Sequence, residues 1–294
     1  MGGSVLPSAP VEVFDACPLL LVDGHNLLWG ATFGFPAEIR SRDKTRLLTG
    51  VFAFFALLRV AIREDLTTPP EVIVVFDGQY GGSDRKEIDP AYKAQRPTDE
   101  AALAPIQFLP DVKRGLDQHR IIWTELDHAE ADDVIAALVH ITPAPREVVV
   151  MSRDRDFYQL VTDRVRVLNT KMHPGKRYIG PAEVFARHQV TPVQWADYRA
   201  LTGDPADNLP GIHGVGAKTA ATLLADGLTL DDLLASGRLD TGRGRIVRDQ
   251  LDLARKWRDM IRLNHELEIP VTPTGQPSQL LPTPADVIEA LGLW

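Results

Sequence analysis

Three short apolar runs, each closing on or just before an aspartate, constrain this chain more than any other feature. They are Leu19 to Val22 before Asp23, Val72 to Phe76 before Asp77, and Val148 to Met151 shortly before Asp154 and Asp156. Runs of Leu, Ile and Val without polar alternation predict strands buried on both faces, the pattern of a parallel sheet covered by helices. Parallel strands need long crossovers, and Lys44 to Glu64 and Ala131 to His140 supply them with apolar residues at helical spacing. In an open parallel sheet, ligands gather beyond the carboxyl ends of the strands, so three strand-end aspartates are expected to face one crevice.

After about residue 180 the pattern changes to short helices between Gly and Pro. Thr191-Pro192 reads as an N-cap with proline at the first helical position, opening a helix toward Leu201. A second helix is expected near Ala217, and a long amphipathic pattern from Arg245 to Asn264 precedes a Pro-rich tail. The predicted organisation is a flexible tail over residues 1–17, an α/β core over 18–180 with an insertion at about 78–118, and a helical region over 181–294. A chain of 294 residues accommodates both units, and no internal repeat is present.

With 44% hydrophobic and 24% charged residues, the composition is that of an ordinary globular protein. The longest apolar stretch, Val51 to Ile62, contains Arg59 and falls short of the roughly 20 residues a membrane helix needs, so it reads as a core helix. The N-terminus lacks the basic residues and apolar segment of a secretory signal. The single cysteine, Cys17, excludes an internal disulfide and a cysteine-based zinc cage. A reducing cytoplasm, no membrane association and a monomeric chain are the matching expectations.

Nine acidic residues fall in five motifs: VDG at Asp23, FDG at Asp77, EADD at Glu130, Asp132 and Asp133, SRDRD at Asp154 and Asp156, and GDPAD at Asp204 and Asp207. Each alone has a bland explanation. Asp-Gly is a frequent turn pair, acids favour helix N-termini, and Asp204 or Asp207 could cap a loop. Together they are harder to dismiss, because carboxylates packed at one sheet end oppose joint ionisation unless cations intervene. Hard divalent ions such as Mg²⁺ take oxygen ligands, and a pair of them suits phosphodiester hydrolysis. The net charge of −8 looks wrong for a nucleic-acid binder, but with those nine acids set aside 31 remain against 32 bases. No serine, cysteine or histidine forms a convincing nucleophile and base pair, and His25, His128 and His213 read as turn, core or loop residues.

Between Gly78 and Leu116 lies a basic segment with Arg85, Lys86, Tyr92, Lys93 and Arg96. On a helix Lys93 and Arg96 share a face that could clamp a phosphate, and Tyr92 could stack on a base; a solvated, salt-bridged loop is the alternative. LPGIHGVGAKTAATLL places Gly211, Gly214 and Gly216 before a helix carrying Lys218, where backbone N–H groups could approach a phosphate. A dinucleotide fingerprint is disfavoured because GDPADNLP is no strand, and the spacing of a Walker loop is absent.

In order along residues 18 to 270, VDGHN, VFDG, DPAYKAQRP, AEADDVIAAL, SRDRDFYQLV and LTGDPADNLPGIHGVGAKTA resemble the bacterial and phage 5′ nuclease family. That family includes flap endonucleases and the 5′ to 3′ exonuclease domain of DNA polymerase I. The resemblance implies a PIN-like parallel-sheet nuclease core, a helical arch and a C-terminal helix-three-turn-helix that holds duplex DNA. It implies that Asp23, Asp77, Glu130 and Asp132 surround one metal position, and that Asp133, Asp154, Asp156, Asp204 and Asp207 complete the acidic site. It further implies that Lys93 and Arg96 contact the scissile phosphate, and that the loop from Gly211 to Lys218 grips a strand backbone, with a bound potassium ion in some relatives. Arg153 stands where the family usually has glycine, and His128-Ala129 replaces a Gly-aromatic pair.

The expected activity is metal-dependent hydrolysis of DNA at 5′ flaps and 5′ ends, with Mg²⁺, or Mn²⁺ in its place, and two or more ions. Catalytic roles fall to Lys93, Arg96, Asp23 and Asp77, and DNA contacts to Arg85, Tyr92, Lys93, Arg96, Gly211, Gly214, Gly216 and Lys218. A stand-alone nuclease is expected, with no polymerase region after Trp294. Two rivals remain: a catalytically silent binder of branched DNA, and a PIN-type ribonuclease, which the glycine hairpin disfavours.

Overall fold

A computed structural model describes residues 17–279 and 281–294, so the tail expected over residues 1–17 lies outside the described residues except for Cys17. The strands are β1 (Leu19–Asp23), β2 (Glu71–Asp77), β3 (Ile122–Leu126), β4 (Val148–Met151), β5 (Val165–Leu168) and β6 (Tyr178–Ile179). They form one sheet in the order β3-β2-β1-β4-β5-β6, parallel except for β6, which runs antiparallel to β5. The helices are α1 (Gly24–Gly34), α2 (Thr49–Glu64), α3 (Ser83–Ile88), α4 (Glu100–Leu103), α5 (Leu109–Gln118), α6 (Ala131–Ile141), α7 (Pro181–His188), α8 (Trp195–Thr202), α9 (Ala217–Leu223), α10 (Gly244–Asp249), α11 (Leu251–Ile261) and α12 (Pro284–Ala290).

The predicted burial on both faces follows from strand alternation. Leu19, Leu21, Ile73, Val75, Val148 and Val150 face a core shared with α6 and the helical region. Leu20, Val22, Val74, Phe76, Val149 and Met151 face a second core shared with α1, α2 and α12. The strand order reverses between β1 and β4, and the crevice of an open parallel sheet lies at that reversal. Val22 pairs with both Val74 and Met151, the last residue of β4, so Asp23, still paired with Val75 of β2, extends past the end of β4.

Several elements differ from expectation. The helix expected from Lys44 starts at Thr49, because Arg40 and Leu47 first form an antiparallel bridge. The Arg245 to Asn264 pattern breaks into α10 and α11 at Gln250, whose φ of −124° and ψ of 20° leave the helical region. The strands β3, β5 and β6 were not signalled: β3 carries Thr124 and Glu125 and is largely half-buried at the sheet edge. Residues beyond about 270 do not extend the helical region as the 181–294 boundary supposes. They return to the second core, where Leu281, Val287, Ile288, Leu291 and Leu293 are buried with residues of α2 and α5. Glu71 at the start of β2 fastens this return, accepting hydrogen bonds from the backbone N–H groups of Thr274 and Gly275 and from Arg146 at 2.6 Å.

Candidate active site

Each motif acid occupies a defined local position. Asp23 caps α1, its Oδ1 accepting the Asn26 N–H at 3.0 Å, while its Oδ2 accepts the Ser152 hydroxyl at 2.8 Å. Asp77 accepts the Ala131 N–H at 2.8 Å, at the start of α6. Glu130 precedes that helix and Asp132 and Asp133 lie in its first turn, where its dipole favours negative charge. Asp154 and Asp156 follow β4 in a turn closed by the Asp156 N–H donating to Asp154 Oδ1. Asp204 and Asp207 sit in the loop after α8, which an antiparallel Asp204–Leu209 bridge holds shut.

These positions converge. Carboxylate oxygens of Glu130, Asp132 and Asp133 lie within 4.8 Å of one another, and so do those of Asp156, Asp204 and Asp207. The Tyr92 hydroxyl joins the two sets, 2.9 Å from Glu130 and 3.3 Å from Asp207. Lys93 Nζ does the same, bonded to Glu130 and 3.7 Å from Asp207. The charges of Asp77 and Asp154 are both felt at Asp23, and those of Asp154 and Asp204 at Asp156 and Asp207. Glu130, Asp132 and Asp133 connect to these six through Lys93, which feels Asp207, Glu130 and Asp132, so the nine acids form one linked unit.

Within that unit the acids divide by partner. Arg85 forms a two-pronged pair with Asp133, both bonds 2.8 Å, and a third bond of 2.5 Å to Glu130. Glu130 also holds Lys93, Asp204 holds Arg199, and Asp207 holds Arg96 at 3.0 Å. Among the described residues, Asp23, Asp77, Asp132, Asp154 and Asp156 have no Lys or Arg at ion-pair distance; Asp77 has only His25, 3.4 Å away.

The proton affinities follow this division. Burial, then the charge of Asp77, pushes the Asp23 carboxyl up to about 7. Burial and then neighbouring carboxylates push Asp132 and Asp156 well above the usual range. Burial acts the same way on Glu130, but Lys93 and Arg85 outweigh it and hold that carboxyl low. Burial pushes His25 down despite Asp77, leaving a neutral ring whose Nδ1 accepts the Asp77 N–H at 3.0 Å. One oxygen of Asp156 is buried without a hydrogen bond. An orphaned anionic oxygen among hard oxygen donors fits a divalent cation.

The basic segment corrects three expectations. Arg85 is only 5% exposed and Tyr92 2%, so neither side chain lies where a DNA strand could reach it. Both are consumed by the acids, and Arg85 Nε also donates to the Met260 carbonyl of α11 at 2.8 Å. Lys93 is not on a helix with Arg96: it occupies a turn with φ of 55°, and the two cations meet on Asp207 instead. The turn docks on the Asp204 loop, with the Lys93 N–H donating to the Asp207 carbonyl and Gln95 to the Pro205 carbonyl. Arg96 remains exposed at the rim.

The glycine loop also divides. Gly211 has φ of 70°, and a Cβ there would sit 2.3 Å from the Gly203 nitrogen. Buried at that crossing, Gly211 shapes the loop and does not face a ligand. Gly214 and Gly216 are exposed, the latter with nothing within 4 Å of a Cβ, and Lys218 is exposed beside them in the first turn of α9. Sequence reasoning overlooked Ser152, Asn26 and Arg199. Arg199 lies five positions before Asp204, near enough along the chain for its pairing to be guessed; Asn26 and Ser152 carry no such signal.

The fold and site define an α/β domain whose switch-point crevice is lined with acids, followed by a helical hairpin. The profile for "5'-3' exonuclease, N-terminal resolvase-like domain" matches residues 18–189, and that for "5'-3' exonuclease, C-terminal SAM fold" matches residues 190–280. The chain belongs to the 5′-3′ exonuclease family. It is 38% identical over 235 residues to the thermostable DNA polymerase I of Thermus thermophilus, covering 79% of this chain and 26% of that protein. With DNA polymerase I of Deinococcus radiodurans it shares 33% over 280 residues, 92% of this chain and 28% of that one. It thus spans about a quarter of the length of these curated relatives. The structure of the bacteriophage T5 D15 protein with metal ions superposes with a TM-score of 0.64 at 23% identity, over 84% of this chain and 90% of that one. The catalytic core of Rad2 in complex with DNA gives 0.56 at 12% identity, over 95% and 89%. Both show a shared fold.

Proposed function

We propose that the chain hydrolyses DNA phosphodiesters at 5′ flaps and 5′ ends near single-strand to double-strand junctions, with Mg²⁺ or Mn²⁺, leaving a 5′-phosphate and a 3′-hydroxyl. The observation that carries this reading is the pair of carboxylate groups, Glu130 with Asp132 and Asp133 and Asp156 with Asp204 and Asp207, bridged by Lys93 and Tyr92. Among the described residues Asp132 and Asp156 have no Lys or Arg partner, and neither has Asp23, which feels the charges of Asp77 and Asp154. When bound, two or more divalent ions would lower the proton affinity of water and balance charge on the attacking and leaving oxygens.

The chain's own residues supply the rest. Asp23, Asp77, Asp132, Asp154 and Asp156 offer free carboxylates to the ions. Glu130, Asp133, Asp204 and Asp207 line the same crevice but are already partly neutralised, and they hold Lys93 and Arg96 at its edge. From there an ammonium and a guanidinium can turn to a phosphate and offset the charge that develops on it. Gly214, Gly216 and Lys218, open to solvent, support a grip on the strand backbone that positions without reading bases. A potassium ion in that hairpin predicts tighter DNA binding in KCl than in NaCl at equal ionic strength. A DNA substrate is in keeping with a cytoplasmic location, and a crevice built from residues of one chain supports a monomer.

A silent DNA binder gains nothing from five unpaired acids in one crevice, and a PIN-type ribonuclease does not call for the α8–α9 hairpin. The test is Mg²⁺ titration on a labelled 5′-flap duplex beside a single-stranded RNA of the same sequence. Flap cleavage that stops in EDTA and in a Lys93→Ala variant supports the reading. Absence of cleavage with either Mg²⁺ or Mn²⁺, or preference for the RNA, rejects it.

A further inference from the structure

Beside the acidic crevice, on the α1 side, lies a cleft of about 380 Å³ that the hydrolytic scheme leaves unused. Its walls include Trp29, Phe33 and Leu57, and its rim carries Arg153 and Lys171. Phe33 is 61% exposed, a large apolar ring standing in water at the cleft mouth. Among the described residues, neither Arg153 nor Lys171 has a carboxylate at ion-pair distance, although the crevice next door is full of them. Arg153 is nonetheless held in place: Nε donates to Asn26 Oδ1 at 3.0 Å and Nη2 to the Asn26 carbonyl at 2.8 Å. Gly30 gives it room, since a Cβ there would fall 2.9 Å from Nη2. These bonds leave Nη1 free.

An oriented guanidinium with an open N–H edge, a lysine and aromatic walls together match one ligand chemistry, a nucleotide with its base against the rings and its phosphate on the cations. The position agrees. Arg153 directly follows Ser152, whose hydroxyl holds Asp23, and directly precedes Asp154. We infer that this cleft binds one nucleotide of the single-stranded segment next to the cleavage position, with Arg153 and Lys171 as phosphate contacts and Phe33 as a base platform. The inference rests on the DNA reading above and adds a binding subsite to it. Arg153 acts here in binding, with no part in the bond-breaking step.

The experiment measures binding of a 3′-fluorescein-labelled oligothymidylate by anisotropy in EDTA, over a range of salt, for the parent protein, Arg153→Gln, Arg153→Lys and Phe33→Ala. Loss of one charge-assisted contact weakens binding about tenfold in Arg153→Gln. It also lowers the slope of log affinity against log salt by about 0.7, the value for one single-strand phosphate contact. Arg153→Lys keeps that slope, and Phe33→Ala weakens binding roughly tenfold with the slope unchanged. Both positions are accessible from solvent, and thermal unfolding checks that each variant folds. No binding by the parent protein, or equal affinity and slope in parent and Arg153→Gln, overturns the inference. Mg²⁺-dependent flap cleavage, measured on the same preparations, separates the two failures. Cleavage without an effect of Arg153→Gln removes the cleft alone; binding that responds as expected without cleavage removes the nuclease reading alone.

Discussion

Replacing Arg85 with methionine separates a structural role for this cation from the DNA contact its sequence context suggests. The guanidinium makes three bonds to carboxylates, two with Asp133 and one with Glu130, and two to the carbonyls of Met260 and Arg262. It thereby ties the insertion to α6 and α11. Methionine keeps most of the volume but leaves Asp133 with only the Asn264 N–H, while Glu130 retains Lys93 and Tyr92. Removing one partner of a buried pair costs about 3–5 kcal/mol, because the remaining charge stays desolvated. At roughly 2–4 °C per kcal/mol for a chain of this size, the melting temperature in EDTA falls by roughly 10 °C. Adding Asp133→Asn removes the stranded charge and recovers about 1–3 kcal/mol. Scanning calorimetry of the parent, the single and the double variant provides the numbers. A single variant that melts within roughly 2 °C of the parent, but loses DNA affinity, refutes this reasoning and restores Arg85 as a surface DNA contact.

Four further outcomes follow from the same geometry. Asp156→Asn removes a buried carboxylate that has no cation partner, so it raises the melting temperature in EDTA by a few degrees and abolishes the additional stabilisation by Mg²⁺; calorimetry with and without the ion checks both. Metal-free stability falls as pH rises from about 5 to 8, because Asp23, Asp132 and Asp156 keep protons in the native state that the unfolded chain has already released. Each unit of raised proton affinity contributes about 1.4 kcal/mol, and the groups held low, Glu71 and Glu130, already contribute fully above about pH 5; a melting temperature that climbs over this range contradicts the assignment. Gly211→Ala forces a Cβ against backbone at positive φ and costs about 1–3 kcal/mol or more. Gly216→Ala, at the N-cap of α9 with open space for a Cβ, costs less, about 1 kcal/mol, and lowers DNA affinity, as thermal unfolding and duplex binding will show.

What could be read from the sequence follows from which forces are local. Strands β1, β2 and β4 were legible because a parallel strand buried on both faces must be apolar throughout, and their terminal aspartates stood out against that background. Strand β3 was not, since an edge strand tolerates Thr124 and Glu125, and β6 has two residues. Helix α1 was hidden by its own composition, GHNLLWGATFG, with three glycines and no charged residue besides its cap. The acidic site was legible residue by residue, but not its division into neutralised and free carboxylates. That division depends on ion pairs between distant segments: Arg85 meets Glu130 and Asp133, and Lys93 and Arg96 meet Asp207. Nothing in DPAYKAQRP distinguishes a Tyr92 that faces solvent from one buried under two carboxylates. The exposed segment and the buried one share a composition, and only the docking of the turn on the Asp204 loop decides between them.

The most direct test of the central claim is an anomalous-scattering map of crystals grown with Mn²⁺. Peaks beside Asp132 and Asp156, within direct or one-water reach of their oxygens, and lost in Asp132→Asn and Asp156→Asn, are the predicted result. Manganese bound only elsewhere on the surface at saturating concentration, with the crevice between α6 and the Asp204 loop empty, would contradict it.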